Sequence, residues 1–421
     1  MEKKILLLGV NFSDNTGLGV TLKNLFSQYP PRKIGIIDFS VSFAEYKYSN
    51  SLFNIRYNNK IINEETIFKS YRVHDYEDDK KRQKWLKYIT LYLRKKLVYY
   101  YNNYIFVKIT SNMKQFVDEF KPEYLYVVPY NRKIINLSLR ISKLHNIPIV
   151  THFMDDFSGR SPLDPFFLIN EYLTSRIVKL LVKKSYKCLA ICESMSIEYE
   201  RLFDKPFYPF HNPIQTDAFK GQIRIQNKQD PNEIRIVYAG TIAENNYDTI
   251  TLFSKVCEQL KQEGHKVGFD IFAPQNNSNI FYNYLMTSVE KFSSVAIKEK
   301  IDHRQLILTL FSYDLLFMPL SFKQKYRHVI KFSFPTKVSE YMATGIPTLY
   351  IIPEGIALHD YVTSNKVGFL IDAPEKETIK LFLLSFIQNP NLAMSNDIAK
   401  KIAYTDFDSN LVSSKFKQIF T

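Results

Sequence analysis

The sequence predicts an α/β protein of two parallel-sheet domains facing each other across a cleft. Three observations carry that expectation. Short apolar runs alternate with helical patterns along most of the chain, which argues for parallel βαβ units. The alternation stops at a polar stretch between Ile214 and Glu233 and then restarts. Each half opens as a strand running into a glycine loop and a helix, so both halves are Rossmann-like. A length of 421 residues suits two domains better than one core.

The first strand is "KKILLLGV", Lys3 to Val10, followed by the loop "NFSDNTGLG" and a helix from about Val20 to Gln28. "KIGIIDFS", Lys33 to Ser40, is the next strand. The polar stretch up to about Asp79 shows no period and reads as loops and short elements. A long helical pattern covers about Lys80 to Tyr101. Strands then fall at Tyr124–Tyr130, Ile147–Phe153, Lys187–Cys192 and Pro206–Pro213, with helices around Lys133–Leu144, Pro165–Lys184 and Met195–Phe203. In the second half the strands are Glu233–Gly240, Lys266–Pro274, Asp314–Leu320, Thr348–Ile352 and Lys366–Pro374, with a helix over about Tyr247–Glu263. The domains so delimited are 1–212 and 213–405, with a terminal helix, about 406–421, packing back on the first. Ligands of open parallel sheets bind at the carboxyl ends of the strands, which makes the cleft the expected site.

The composition sets bounds. Hydrophobic content of 45% and aromatic content of 15% exclude a disordered chain. Cys188, Cys192 and Cys257 form neither a disulfide framework nor a metal-ligand set. They read as buried thiols of a reducing compartment, and a cytoplasmic location follows. The N-terminal run mimics a signal peptide but is too short, with Asn11 and Asp14 where small residues belong. No run reaches about 18 apolar residues, so no membrane-spanning helix is expected. A formal charge of +14 implies an anionic partner. Nucleic acid is disfavoured, because the basic residues are dispersed and no compact recognition motif is present.

Four places carry candidate chemistry. In "NTGLGV", Gly17 and Gly19 let backbone N–H groups approach an anion at a helix start, or simply make a tight turn. Gly240 and Thr241 in "YAGTIAENN" repeat that arrangement at the second domain's first strand end. "THFMDDFSGR" ends a strand with His152, Asp155, Asp156 and Arg160. The carboxylates suit a base or hydroxyl acceptors, the alternative being aspartates that cap the next turn. Neighbours on an extended segment point opposite ways, so they do not make a bidentate metal pair.

The fourth is "FSFPTKVSEYMATGIP", Phe332 to Pro347. Pro335 suits a helix start and Gly345 its end. Lys337 in the first turn opposes the helix dipole unless an anion visits. Glu340 lies on the same face, one turn on. The pair is either a surface ion pair of little value or a site in which Lys337 meets a phosphate and Glu340 accepts hydrogen bonds from a vicinal diol. The second arrangement fits a nucleotide-sugar diphosphate and its ribose.

This stretch, after "YDLLFMPL" and before "LYIIPEG", resembles the signature helix of the GT-B glycosyltransferases, in particular the large retaining family four. "FHNPI" and "VYAGTIAENNYDTI" resemble that family's interdomain hinge and first strand–loop of the second domain. The likeness runs over about Phe210 to Gly368. It implies a GT-B fold and a metal-independent hexosyltransferase without a cofactor. The donor would be a UDP- or GDP-sugar, and the acceptor a glycan or a lipid-linked molecule of bacterial surface polysaccharide. It implies that Glu340 binds the donor's ribose, as the second glutamate of an E-x7-E motif. The first would stand at position 332, which is Phe332, and no Asp or Glu occurs between Asp314 and Glu340. The family's basic pair after the glycine loop is also missing, which leaves Lys337 as the nearest cation for the diphosphate. Sugar identity and stereochemical outcome stay unassigned.

Gly17, Gly19, Gly240, Thr241, Lys337 and Glu340 are thus the expected donor-binding residues. His152, Asp155 and Asp156 are the expected catalytic ones. Lys80 to Tyr104 forms a basic, aromatic amphipathic pattern. It reads either as an element lying on an anionic membrane or as a core-facing helix with a solvated basic side. Two other functions stay open: a nucleotide-sugar epimerase or hydrolase on the same plan, and a non-catalytic glycan-binding relative.

Overall fold

Buried parallel strands read as continuous apolar runs because helices cover both faces of the sheet. The computed structural model of the chain shows this directly, and it describes residues 2–10, 12, 17–39, 49–54, 61–62, 107–156, 167–223, 233–275, 279–389, 392 and 396–421. The expected membrane helix Lys80–Tyr104 lies outside the described residues, as does Arg160.

The chain divides into two units, residues 1–210 with 416–421, and residues 211–415. Strands of the first are β1 (Ile5–Leu8), β2 (Ile34–Asp38), β3 (Ser51–Asn54), β4 (Ile61–Ile62), β5 (Tyr124–Val127), β6 (Ile149–Phe153), β7 (Ser185–Ala190) and β8 (Phe207–Pro209). Their order is β4-β3-β2-β1-β5-β6-β7-β8. Every pair is parallel except the two-residue edge strand β4 against β3. The second unit contains β9 (Ile234–Ala239), β10 (Val267–Ala273), β11 (Val295–Glu299), β12 (Leu315–Pro319), β13 (Thr348–Ile351) and β14 (Phe369–Ile371). They form an all-parallel sheet ordered β11-β10-β9-β12-β13-β14.

In both sheets the first strand sits where the winding reverses, β1 between β2 and β5, and β9 between β10 and β12. Loops leaving adjacent strands diverge there and open a crevice at the strand carboxyl ends. The topology therefore singles out the loops after β1 and β9, which the sequence also singles out.

Packing explains the chain's return to the first unit. Phe416 and Phe420 are buried against Phe26, Tyr126 and Tyr124 with edge-on ring contacts. Each ring so buried contributes about 1.5–3 kcal/mol. The second core centres on Phe253, Phe269 and Phe317, with Phe253 stacked 4.1 Å from Phe317.

Several elements differ from expectation at their edges. The first helix is Gly17–Leu25, so Gly17 and Gly19 lie in its first turn. The strands expected over Pro206–Pro213 and Lys366–Pro374 shrink to Phe207–Pro209 and Phe369–Ile371. Between β10 and β12 stand two helices, Ile280–Val289 and His303–Leu310, around the edge strand β11. All three cysteines are free and buried, and burial pushes the Cys188 and Cys192 thiols up to about 11. No helix among the described residues is long and apolar enough to cross a membrane.

Candidate functional site

In the second unit, the helix after β12 runs Thr336–Thr344, and Gly345 ends it with φ +70°. Pro335 precedes the first turn in extended conformation and no side chain caps the helix start. Three hydrogen bonds fix the helix. The Tyr341 hydroxyl, fully buried, accepts the Ala239 N–H at 2.9 Å and ties the helix to the end of β9. Asn212 donates its side-chain amide to the Phe334 carbonyl at 2.5 Å, and Ser339 donates to the Asn212 carbonyl at 3.2 Å. The Asn in "FHNPI" thus clamps the approach to the helix.

Glu340 is 3% exposed, yet both its oxygens are engaged by donors. Lys337 Nζ lies 2.6 Å from Oε2. His303 Nε2 lies 2.9 Å from Oε1. A carboxylate only accepts, so Nε2 carries the proton in this bond. Burial alone would push the Glu340 carboxyl up. Lys337 beside it and the bond from His303 more than offset this and hold it at about 2. The result is a permanently ionised carboxylate roofed by two side chains that reach water, Lys337 at 22% and His303 at 56% exposure.

The loop after β9 is held from within. The Tyr238 hydroxyl donates to the Thr241 carbonyl at 2.9 Å, and Asn246 donates to both that carbonyl and that hydroxyl. A Cβ on Gly240 would stand 2.6 Å from the Tyr238 oxygen, so the packed tyrosine explains the glycine. Thr241 is exposed.

In the first unit, β6 delivers His152, Asp155 and Asp156 to one strand end. His152 is fully buried, with Nδ1 2.7 Å from the Tyr126 hydroxyl. Burial pushes its pKa down to about 3, only partly offset by the Ala190 backbone, so the ring is neutral. Asp156 accepts from the Tyr199 hydroxyl at 2.8 Å. Asp155 is exposed on its outer side but crowded behind. That desolvation, and then the Asp156 charge, push its carboxyl up to about 6. Solvent on the open side screens part of the effect and leaves its direction.

In the second unit Gly240 and Thr241 follow β9, while Lys337 and Glu340 lie on the helix that comes after the adjacent β12 and is tied to Ala239 through Tyr341. Gly17, Gly19, His152, Asp155 and Asp156 belong to the first unit. Sequence reasoning missed His303. The only local signal near His303 is Asp302, which caps the helix by accepting from the Arg304 N–H at 2.8 Å and marks a helix start, not a ligand. Among the described residues, one trio of possible metal ligands, Glu354, His359 and Asp372, brings its ligand atoms within 4.8 Å. Glu354 and Asp372 are exposed there.

No protein-family model matches the chain, and no curated protein matches it. Solved structures do. The Anabaena HepE protein in complex with UDP and glucose superposes with a TM-score of 0.64 at 12% identity, covering 99% of each chain. Sucrose-phosphate synthase from Thermosynechococcus elongatus gives 0.64 at 8% identity, over 99% of this chain and 98% of that one. A glycosyltransferase from Rickettsia africae gives 0.59 at 11% identity, over 100% of this chain and 98% of that one. Likeness at such identities carries the fold, two parallel-sheet α/β domains of the GT-B type.

Proposed function

We propose that the chain is a glycosyltransferase. It would take a UDP- or GDP-sugar on the second unit and serve a glycan or lipid-linked acceptor of bacterial surface polysaccharide on the first. The observation that carries this reading is Glu340, a buried carboxylate kept ionised by Lys337 and His303 at the helix start after β12. Such a group has no use as a proton donor at neutral pH. It suits a fixed acceptor for the two hydroxyls of a ribose, delivered at a crevice made by topology. The HepE structures with UDP and glucose, and with UDP-glucose, support UDP as the first nucleotide to test.

In this reading the bond between the sugar's anomeric carbon and the diphosphate breaks, and one to the acceptor oxygen forms. Lys337 and the uncapped first turn stabilise charge gathering on the leaving nucleoside diphosphate. Asp155, with its pKa drawn up to about 6, takes the acceptor's proton. His152, enclosed against Tyr126, positions the strand end rather than meeting substrate. A ribose that reaches Glu340 displaces His303, which covers Oε1. The work is done by fixed dipoles and Lys337, and no metal is invoked.

One observation favours a second reading, a nucleotide-sugar binder without transfer. Phe332 is buried where the resembled family has its sugar-contacting glutamate. Calorimetric titration of UDP, GDP, CMP and dTDP into wild type and Glu340→Ala separates the possibilities. The expected outcome is binding of one nucleotide, weakened about tenfold or more by loss of charged hydrogen bonds. Binding without turnover of the matching nucleotide sugar selects the second reading. No binding by any of the four, with the protein folded, removes both.

A further inference from the structure

The helix Phe167–Lys184, between β6 and β7, turns an unusual face to water. Its inner side is set by Thr174, Val178, Leu181 and Val182, all buried. On the outer side Tyr172, Leu173 and Leu180 keep 60%, 39% and 45% of their surface exposed. At about 100° per residue, Tyr172, Arg176, Lys179 and Lys183 make one stripe, with Leu173 and Leu180 along its edge. The Arg176 guanidinium lies 5.6 Å from the Tyr172 ring centroid and covers part of it. Over residues 171–184 the sole acid is Glu171, which falls on the inner side. Of the two helices packed beside it, Arg132–His145 has no acid and exposes Lys143 and Leu144, while Glu193–Phe203 carries Glu193, Glu198 and Glu200.

A helix that meets only water gains nothing from leucines on its outer arc, and it usually mixes charge signs there. Here cations alternate with leucine and tyrosine, so the complementary surface is anionic and apolar at once. Lipid headgroups over hydrocarbon offer that combination. A nucleic-acid backbone offers the charge but no apolar layer for two leucines.

We propose that the outer face of Phe167–Lys184 docks on an anionic lipid bilayer. Leu173, Leu180 and Tyr172 enter the headgroup boundary, while Arg176, Lys179 and Lys183 meet lipid phosphates. This surface belongs to the first unit, and its test does not depend on the donor chemistry proposed for the second.

Vesicle flotation of the full chain tests it, with phosphatidylcholine alone and with phosphatidylcholine mixed with phosphatidylglycerol. Wild type is expected to float with the mixed vesicles and not with the neutral ones. Lys179→Gln with Lys183→Gln is expected to lower the partition coefficient about thirtyfold. Leu173→Ser with Leu180→Ser is expected to lower it about tenfold. All four positions are exposed, so circular dichroism and thermal melting should match wild type. Three results overturn the proposal: no flotation of wild type, flotation of either double variant equal to wild type, or tighter binding of wild type to a DNA oligomer at equal phosphate concentration.

Discussion

Each unit carries a carboxylate beyond the carboxyl end of a strand, Glu340 on the helix after β12 and Asp155 just past β6, and the two are treated in opposite ways. Glu340 is sealed in, given a lysine and a histidine as partners, and held at about 2. Asp155 is open to water on one side, given another aspartate as neighbour, and drawn up to about 6. Burial raises a carboxyl's pKa in both cases, so the partner decides the sign. The lesson is that a strand end in a parallel sheet fixes where a functional group stands, while the side chains of the next element fix its charge. Its partners keep one carboxylate ionised, while the surroundings of the other push its pKa toward neutral.

The sharpest way to break this contrast is to remove the partner from the sealed site. Lys337→Met leaves Glu340 buried with His303 as its remaining donor. The expected cost is about 3 kcal/mol at pH 7, toward the lower end for a broken buried pair because Lys337 itself is partly solvated. The pH dependence gives the signature. In wild type the folded pKa is depressed below the ordinary 4.5, so Glu340 stabilises the fold above that value, and the contribution fades as pH falls toward 2. In the variant, burial is less opposed and the folded pKa rises, so acid relieves the strain. Urea unfolding at pH 7 and pH 4 should therefore show a gap between the proteins that narrows on acidification. A gap that stays constant would mean that Lys337 acts by packing alone.

A second comparison concerns the glycines that end the first strand of each sheet. Gly9 has φ +74°, and a Cβ there would stand 2.4 Å from the Val128 carbonyl oxygen, which is backbone. At Gly240 the obstacle is the tip of the Tyr238 side chain. A backbone obstacle in the left-handed region has no easy escape, whereas a tyrosine can tilt. Gly9→Ala is expected to cost about 2–3 kcal/mol and Gly240→Ala about 1–2 kcal/mol in thermal or chemical unfolding. Equal costs would mean that the Tyr238–Asn246–Thr241 network is as stiff as backbone.

The sequence showed the fold wherever burial on both sides forces an unbroken apolar run, as in β5, β6, β9 and β12. It showed less where that constraint lapses. The edge strand β11, "VAIKE", is largely exposed and has no such run. Of the candidate site, Lys337 and Glu340 were legible because helical spacing alone puts them on one face. His303 was not, because it is 37 residues from Glu340 and meets it only after the chain crosses back from the edge strand β11 to β12. His152 drew notice for standing near a strand end. In a sheet covered on both faces, however, every residue of β6 is buried, and the ring turned out to pair with Tyr126.

The smallest expected effect tests the open site. Asp156→Asn removes the neighbouring charge but keeps a side chain that the Tyr199 hydroxyl can still meet. The Asp155 pKa, raised by desolvation first and by Asp156 second, should then fall part of the way toward the ordinary carboxylate range. If Asp155 is the base, it must be ionised to act, so activity declines as pH drops through its pKa. The acid limb of the pH–rate profile should accordingly move to lower pH in the variant, with the rate at pH 8 nearly unchanged. That direction separates a base from a structural carboxylate. Loss of a purely structural group would lower the rate at every pH, and an acid limb fixed in place would assign the proton to a group other than Asp155.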